Sequence, residues 1–199
     1  MNFEKNVMVE IFPSLIDSLW VSNQITMMPP PILFNEKKEF TGYGKKNIQK
    51  IKRNLNLELL EIKKDTSKIL IEILEENIPI RNDDEQKELI KYFKNIEISK
   101  NINDTLRNKI DKRRLNLYKN LKIFYTKSIP RTNAKWEYLN RYKIYGTVSI
   151  SRITFDKKKE FGVISIGLYR YYDGNGYRVF IKKVKNKWIV DRIEESWIT

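Results

Sequence analysis

Four tyrosines, Tyr169, Tyr171, Tyr172 and Tyr177, crowd around Asp173-Gly174-Asn175-Gly176. Aromatic rings beside a glycine-rich hairpin offer large contact area at modest entropic cost, which suits recognition of a protein or ligand. The same rings also suit ordinary cross-strand aromatic pairing. A second group with chemical potential is Lys112-Arg113-Arg114, the densest positive run, with Lys109, Lys119 and Lys122 close by and Lys182, Lys183, Lys185 and Lys187 further along. Such cations can neutralise phosphates, and they equally line the wet side of an element. Acid–base and nucleophilic chemistry has less to work with. Cys and His are both absent, which removes disulfides, thiolate chemistry, His-dependent triads and the usual zinc and copper ligand sets. Asp, Glu, Lys and Tyr remain as proton-transfer groups, and Asp191, Glu194 and Glu195 are the carboxylates near the chain end. An enzyme built on them needs a concave cavity and a carboxylate or tyrosine of shifted pKa. We therefore expect no cofactor and no metal, and a non-enzymatic accessory or binding domain with a protein or ligand partner. The alternative is a basic nucleic-acid-binding protein, and the third reading is an enzyme or small-ligand binder with a cone-shaped pocket.

The tyrosines require strands to hold them. Thr147 to Phe155 and Phe161 to Tyr169 alternate apolar and polar residues with a period of two, as strands with one buried face do. In the first, Val148, Ile150 and Arg152 share one side while Ser149, Ser151, Ile153 and Phe155 share the other, so the buried side changes partway, as at a β-bulge. In the second, Gly162, Ile164, Ile166 and Leu168 read as core. Asp173-Gly174 and Asn175-Gly176 are expected to supply positive φ for a tight hairpin. A lone Gly-x-Gly without a following helix lacks the N–H groups of a phosphate site. Tyr177 to Val184 and Trp188 to Ile198 form the third and fourth strands, joined through Lys185-Asn186-Lys187 with Asn186 left-handed. The odd spacing of Trp188 and Trp197 puts them on opposite sides.

The rest of the chain reads as covering layers. Phe3 to Trp20 is an amphipathic helix in which Pro13 marks either a kink or the start. Met28-Pro29-Pro30-Pro31 is an extended strap. Lys45 to Arg53 is a short surface helix, and a strand is expected across Ile69 to Leu74. Asn82-Asp83-Asp84-Glu85 opens a helix through Phe93, its carboxylates capping free N–H groups rather than holding a metal. Leu121 to Tyr125 is a further strand. The chain thus reads as one α+β domain over residues 1–199. Residues 1–140 are mainly helical with one or two strands and a Pro-rich strap at 29–31, and residues 141–199 are an antiparallel β-meander of about four strands carrying the helices.

Ser151-Arg152-Ile153-x-Phe155-Asp156, Gly174-x-Gly176-Tyr177, Lys187-Trp188 and the terminal Trp197-Ile198-Thr199 resemble the C-terminal signature of a group of uncharacterised bacterial proteins, many predicted to be exported or lipid-anchored. That resemblance implies no activity. Asn186-Lys187-Trp188 lacks the turn glycine of that pattern. A small helix-backed sheet is also similar to the nuclear-transport-factor-2-like and cystatin-like folds, which host many functions.

The formal charge of +14 arises from 39 Lys and Arg against 25 Asp and Glu, an excess that invites an anionic partner. Residues 1–80 balance at 11 against 11, residues 81–140 carry 15 against 8, and residues 141–199 carry 13 against 6. The excess is spread, which reads as a solvated basic surface. No stretch approaches the roughly 20 apolar residues of a membrane span. Met1 to Trp20 lacks the pattern of a signal peptide. The expected location is therefore cytoplasmic, or exported if a leader has been removed.

Overall fold

A computed structural model describes residues 2–27, 31–64, 69–73, 84–98, 110–115, 121–125, 143–170 and 173–198. The elements are α1 (Asn2–Met27), β1 (Ile32–Phe34), β2 (Phe40–Tyr43), α2 (Ile48–Lys64), β3 (Ile69–Ile73), α3 (Asp84–Phe93), a single 3-10 turn (Lys112–Arg114), β4 (Leu121–Tyr125), β5 (Lys143–Ile150), β6 (Thr154–Phe155), β7 (Phe161–Arg170), β8 (Asp173–Val184) and β9 (Lys187–Ile198). The architecture is α+β. The chain divides into two compact units, one of residues 1–15 and 66–199, the other of residues 16–65. Pro29 and Pro30, in the expected strap, lie outside the described residues.

In the larger unit, β5, β7, β8 and β9 form the expected antiparallel meander. The sheet runs β4-β3-β5-β7-β8-β9, with β6 on β7. β3 joins both β4 and β5 in parallel, so the apolar run Ile69-Leu70-Ile71 belongs to a parallel edge added to the meander. Between Ile150↔Ile166 and Thr154↔Val163, three residues (Ser151 to Ile153) face two (Ile164 and Ser165). This is the extra residue that the change of buried side requires, and such a residue re-aims its neighbours.

The re-aimed residues meet α1. Glu4 accepts from Arg152 Nη2 at 2.8 Å and Nε at 2.9 Å, and from the Ile153 N–H at 2.8 Å. Phe3, Phe155 and Trp188 form an edge-on and tilted aromatic cluster with centroids 5.2–6.2 Å apart, and Glu10 accepts from the Trp188 N–H. The first half of α1, which belongs to the larger unit, therefore covers the sheet face of Ile164 and Ile181. The helix continues to Met27 through Pro13, which lies inside the helix rather than at its start.

α3 covers the other face. Leu89, Val163 and Phe180 form a buried cluster joined by Tyr92, Phe93, Ile96, Ile98 and Phe161, with Tyr92 stacked on Phe180 at 4.1 Å. Val163 is buried as completely as Ile164 because a helix lies over each face. Asp84 and Glu85 occupy the first turn of α3, where carboxylates favour the positive end of the helix dipole.

In the smaller unit, α2 starts at Ile48 because Asn47 caps it: the Asn47 Oδ1 accepts from the Lys50 N–H at 3.0 Å. The helix then continues to Lys64, well beyond the short helix expected at Lys45 to Arg53, since Leu55 and Leu59 extend the apolar side started by Ile48 and Ile51.

Candidate functional site

The glycines of the meander act differently from the turn glycines expected of them. β8 begins at Asp173, paired with Arg170, and Gly174 and Gly176 lie within the ladder opposite Tyr169 and Gly167. Among described glycines only Gly42 has positive φ. What Gly167 and Gly176 supply is space. A Cβ on Gly176 would stand 1.9 Å from the Trp197 Nε1, and one on Gly167 would stand 2.6 Å from the Ser149 Oγ and 2.9 Å from the Tyr169 ring. The two rings lie across adjacent bare backbone, 5.8 Å apart and tilted by 42°.

This aromatic shelf is open: Tyr169 is 42% and Trp197 38% exposed. One same-face step along the strands, about 7 Å away by strand geometry, come Ser165 and Arg178. Ser165 Oγ donates to Glu85 Oε1 at 3.1 Å, and Arg178 Nη1 stands 3.7 Å from Glu88 Oε2. Glu85 Oε2 and Arg178 Nε are buried with no hydrogen-bond partner among the described residues. Both atoms lie beneath the surface, so what the shelf itself offers is aromatic area, with the Glu88 carboxylate and the Arg178 guanidinium nearby.

Of the expected contact residues, Tyr169 is on this shelf. Tyr177 is 1% exposed and lies in the interior on the α1 side, paired with Ile166. Tyr171 and Tyr172 lie outside the described residues. Local sequence pattern does not mark Trp197, Gly167 or Arg178 as contacts. The signal available was two glycines with one large aromatic residue at the same edge, but only register makes them neighbours.

Trp188 and Trp197 do occupy opposite faces. β9 carries nine steps between them against seven on β8, from Lys183 to Gly176, so its two register shifts cancel in parity.

The expected anion contacts separate into two places. Lys112, Arg113 and Arg114 form the 3-10 turn. Arg113 donates twice to Asp111, holding that carboxyl below the usual range by hydrogen bonding, and Arg114 donates to Asn6 Oδ1. Lys182 pairs with Asp191 at 2.7 Å, whose other oxygen accepts from the Tyr92 hydroxyl at 3.0 Å. Burial and that hydrogen bond to Asp191 hold the Tyr92 pKa above its ordinary 10.0.

Lys183 belongs to a larger assembly. Its N–H donates to the Glu160 carbonyl, which brings the turn at Lys157 to Glu160 against the β8–β9 turn, where Lys185 and Asn186 both have positive φ as a tight hairpin requires. Lys158, Lys159, Lys183, Lys185 and Lys187 are exposed at this end, while Lys157 pairs with Glu97. Asp156 organises the turn by accepting from the N–H groups of Lys158, Glu160 and Phe161.

No group of three or more Asp or Glu placed to hold a metal occurs among the described residues, and no described helix is long and apolar enough to cross a membrane. Comparison with protein-family models, with curated proteins and with solved structures finds no match to this chain, so the functional reading rests on its own surfaces.

Proposed function

We propose that this protein is a non-enzymatic binding module that receives a segment of a protein partner on the Tyr169–Trp197 shelf. The observation that carries this reading is the pair of exposed rings laid over Gly167 and Gly176. Rigid aromatic surface matches side chains and peptide groups, whereas the neighbouring carboxylates of Glu85 and Glu88 disfavour phosphate. The test is selection of a random displayed peptide library on the full chain, with counter-selection on the Tyr169→Ala/Trp197→Ala double variant. Peptides that bind the parent and lose at least about tenfold affinity for a folded double variant support the reading, since removing a central aromatic anchor has that effect. Equal retention by both proteins overturns it.

A second reading, nucleic-acid binding, is favoured by the tertiary grouping of Lys158, Lys159, Lys183, Lys185 and Lys187. It predicts that a labelled single-stranded oligouridylate binds with a steep salt dependence, a slope of about −0.7 per phosphate neutralised. Glutamine at Lys183, Lys185 and Lys187 should flatten that slope. Binding indifferent to salt or to these substitutions sinks it.

A further inference from the structure

Seven of the twelve large apolar side chains exposed among the described residues fall between Ile32 and Leu60, in the smaller unit. They are Ile32, Leu33, Phe40, Tyr43, Ile48, Leu57 and Leu60, and scattered single exposures would need no explanation whereas a concentration does. The β1–β2 hairpin is a two-stranded sheet by itself, an element that is marginal in water without an apolar face to bury. Ile32 pairs with Tyr43, and the Phe40 and Tyr43 rings meet edge-on at 5.3 Å. One face of the hairpin therefore presents Ile32, Phe40 and Tyr43 to water, the two rings 58% and 67% exposed.

Charge accompanies this apolar surface. Between Phe40 and Leu57 the chain holds Lys45, Lys46, Lys50, Lys52 and Arg53 and not one carboxylate. Lys50, Arg53, Leu57 and Leu60 follow one another at spacings of three and four along α2, and all four are exposed, so two leucines continue an outward stripe that two cations begin, while Lys64 one turn on pairs with Glu61 at 2.8 Å.

We infer that the β1–β2 hairpin and α2 dock onto the surface of an anionic lipid bilayer. Long cationic side chains reach headgroup phosphates while their stems and the neighbouring apolar groups enter the interface, and aromatic rings favour that depth. The apolar groups occur on a hairpin face, on Leu33 opposite it, and on an outward helix stripe, so they suit a deformable interface better than one rigid groove. The clustered positive charge selects an anionic surface over a neutral one. This inference is independent of the aromatic shelf on the other unit.

The test is co-sedimentation of the full chain with vesicles of phosphatidylcholine alone and of phosphatidylcholine containing one third phosphatidylglycerol. The protein should sediment with the anionic vesicles, should not with the neutral ones, and should be released as salt rises well above the physiological range. Phe40→Ser/Tyr43→Ser and Lys45→Gln/Lys50→Gln/Arg53→Gln should each weaken sedimentation by at least about tenfold. Lys183→Gln/Lys185→Gln/Lys187→Gln should leave it within about twofold, because those lysines belong to the other unit. Circular dichroism confirms folding, and the charge variant, which alters only exposed side chains, decides the matter if the aromatic variant fails to fold. Failure of the parent to bind anionic vesicles, or binding undiminished in the charge variant, overturns the inference. So does a dimer in light scattering that dissociates on Phe40→Ser/Tyr43→Ser, or complete release by soluble polyglutamate, since these would assign the surface to a second copy or to an acidic protein.

Discussion

The two ends of the C-terminal meander are made from the same three strands and are held in opposite ways. At the lysine-bearing end, α1 clamps the sheet through Glu4, Arg152 and the Phe3–Phe155–Trp188 cluster, and Asp156 ties the adjoining turn with three backbone hydrogen bonds. At the other end, Tyr169 and Trp197 fold down over bare glycine and remain open to solvent. One end is fastened by charge burial and tethering. The other leaves its aromatic surface free to meet something else, and the difference shows that exposed rings on a sheet need their own floor.

Perturbing the clamp gives the largest expected effect. Glu4→Ala leaves the mostly buried Arg152 guanidinium without its carboxylate and should lower stability by about 3 kcal/mol, as for a broken buried pair, read as a shift in the urea midpoint. A loss below about 1 kcal/mol would mean solvent rescues Arg152 and the ends are held alike. Asp156→Ala removes three charge-assisted hydrogen bonds and should cost about 2 kcal/mol, with faster amide exchange at Glu160 and Phe161 and no change at Gly176.

At the open end the expected penalties shrink. Gly176→Ala forces the Trp197 ring aside, but that ring is partly exposed and can swing outward, so the loss should be about 1 kcal/mol. In Trp197→Ala the same Gly176→Ala change should be nearly neutral, and a double-mutant cycle reads this coupling. Additivity instead would show that the glycine serves some purpose other than admitting the ring.

The smallest change lies between the ends. Tyr92→Phe deletes the hydroxyl bond to Asp191, which keeps Lys182 as a partner, and should cost about 0.5 kcal/mol near neutral pH. Because the folded state holds the Tyr92 proton above the ordinary 10.0, this contribution is complete below that value and disappears as pH rises through the folded pKa. The advantage of the parent over Tyr92→Phe should therefore shrink in alkaline denaturation, whereas a constant difference would show that Asp191 does not hold the proton there.

The two register shifts of β9 have a further consequence. They interrupt its 12-residue outer side, and Asp191, Arg192, Glu194 and Glu195 add charge there, which discourages strand-to-strand association between copies.

The meander, the Lys185-Asn186 turn, the α3 start and the extra residue near Arg152 were legible in the sequence, because each depends on local periodicity, turn chemistry or capping. The parallel addition of β3 and β4 was not, since a short apolar run carries no information about the direction of its neighbour. The glycines depart from their local expectation for a similar reason. Asp-Gly and Asn-Gly favour turns locally, while the need to admit Trp197 arises from a residue some twenty positions away.

The sequence by itself determined the class of fold, the lack of thiol and imidazole chemistry and the alternation that pairs the strands, since composition and a period of two are properties of adjacent residues. Only the tertiary structure decided which aromatic rings are buried and which are offered to solvent, which lysines share one end, and where the apolar residues of the smaller unit remain uncovered. Those are outcomes of register and of what lies over each face, and burial is a property of the neighbours a residue acquires rather than of its own side chain.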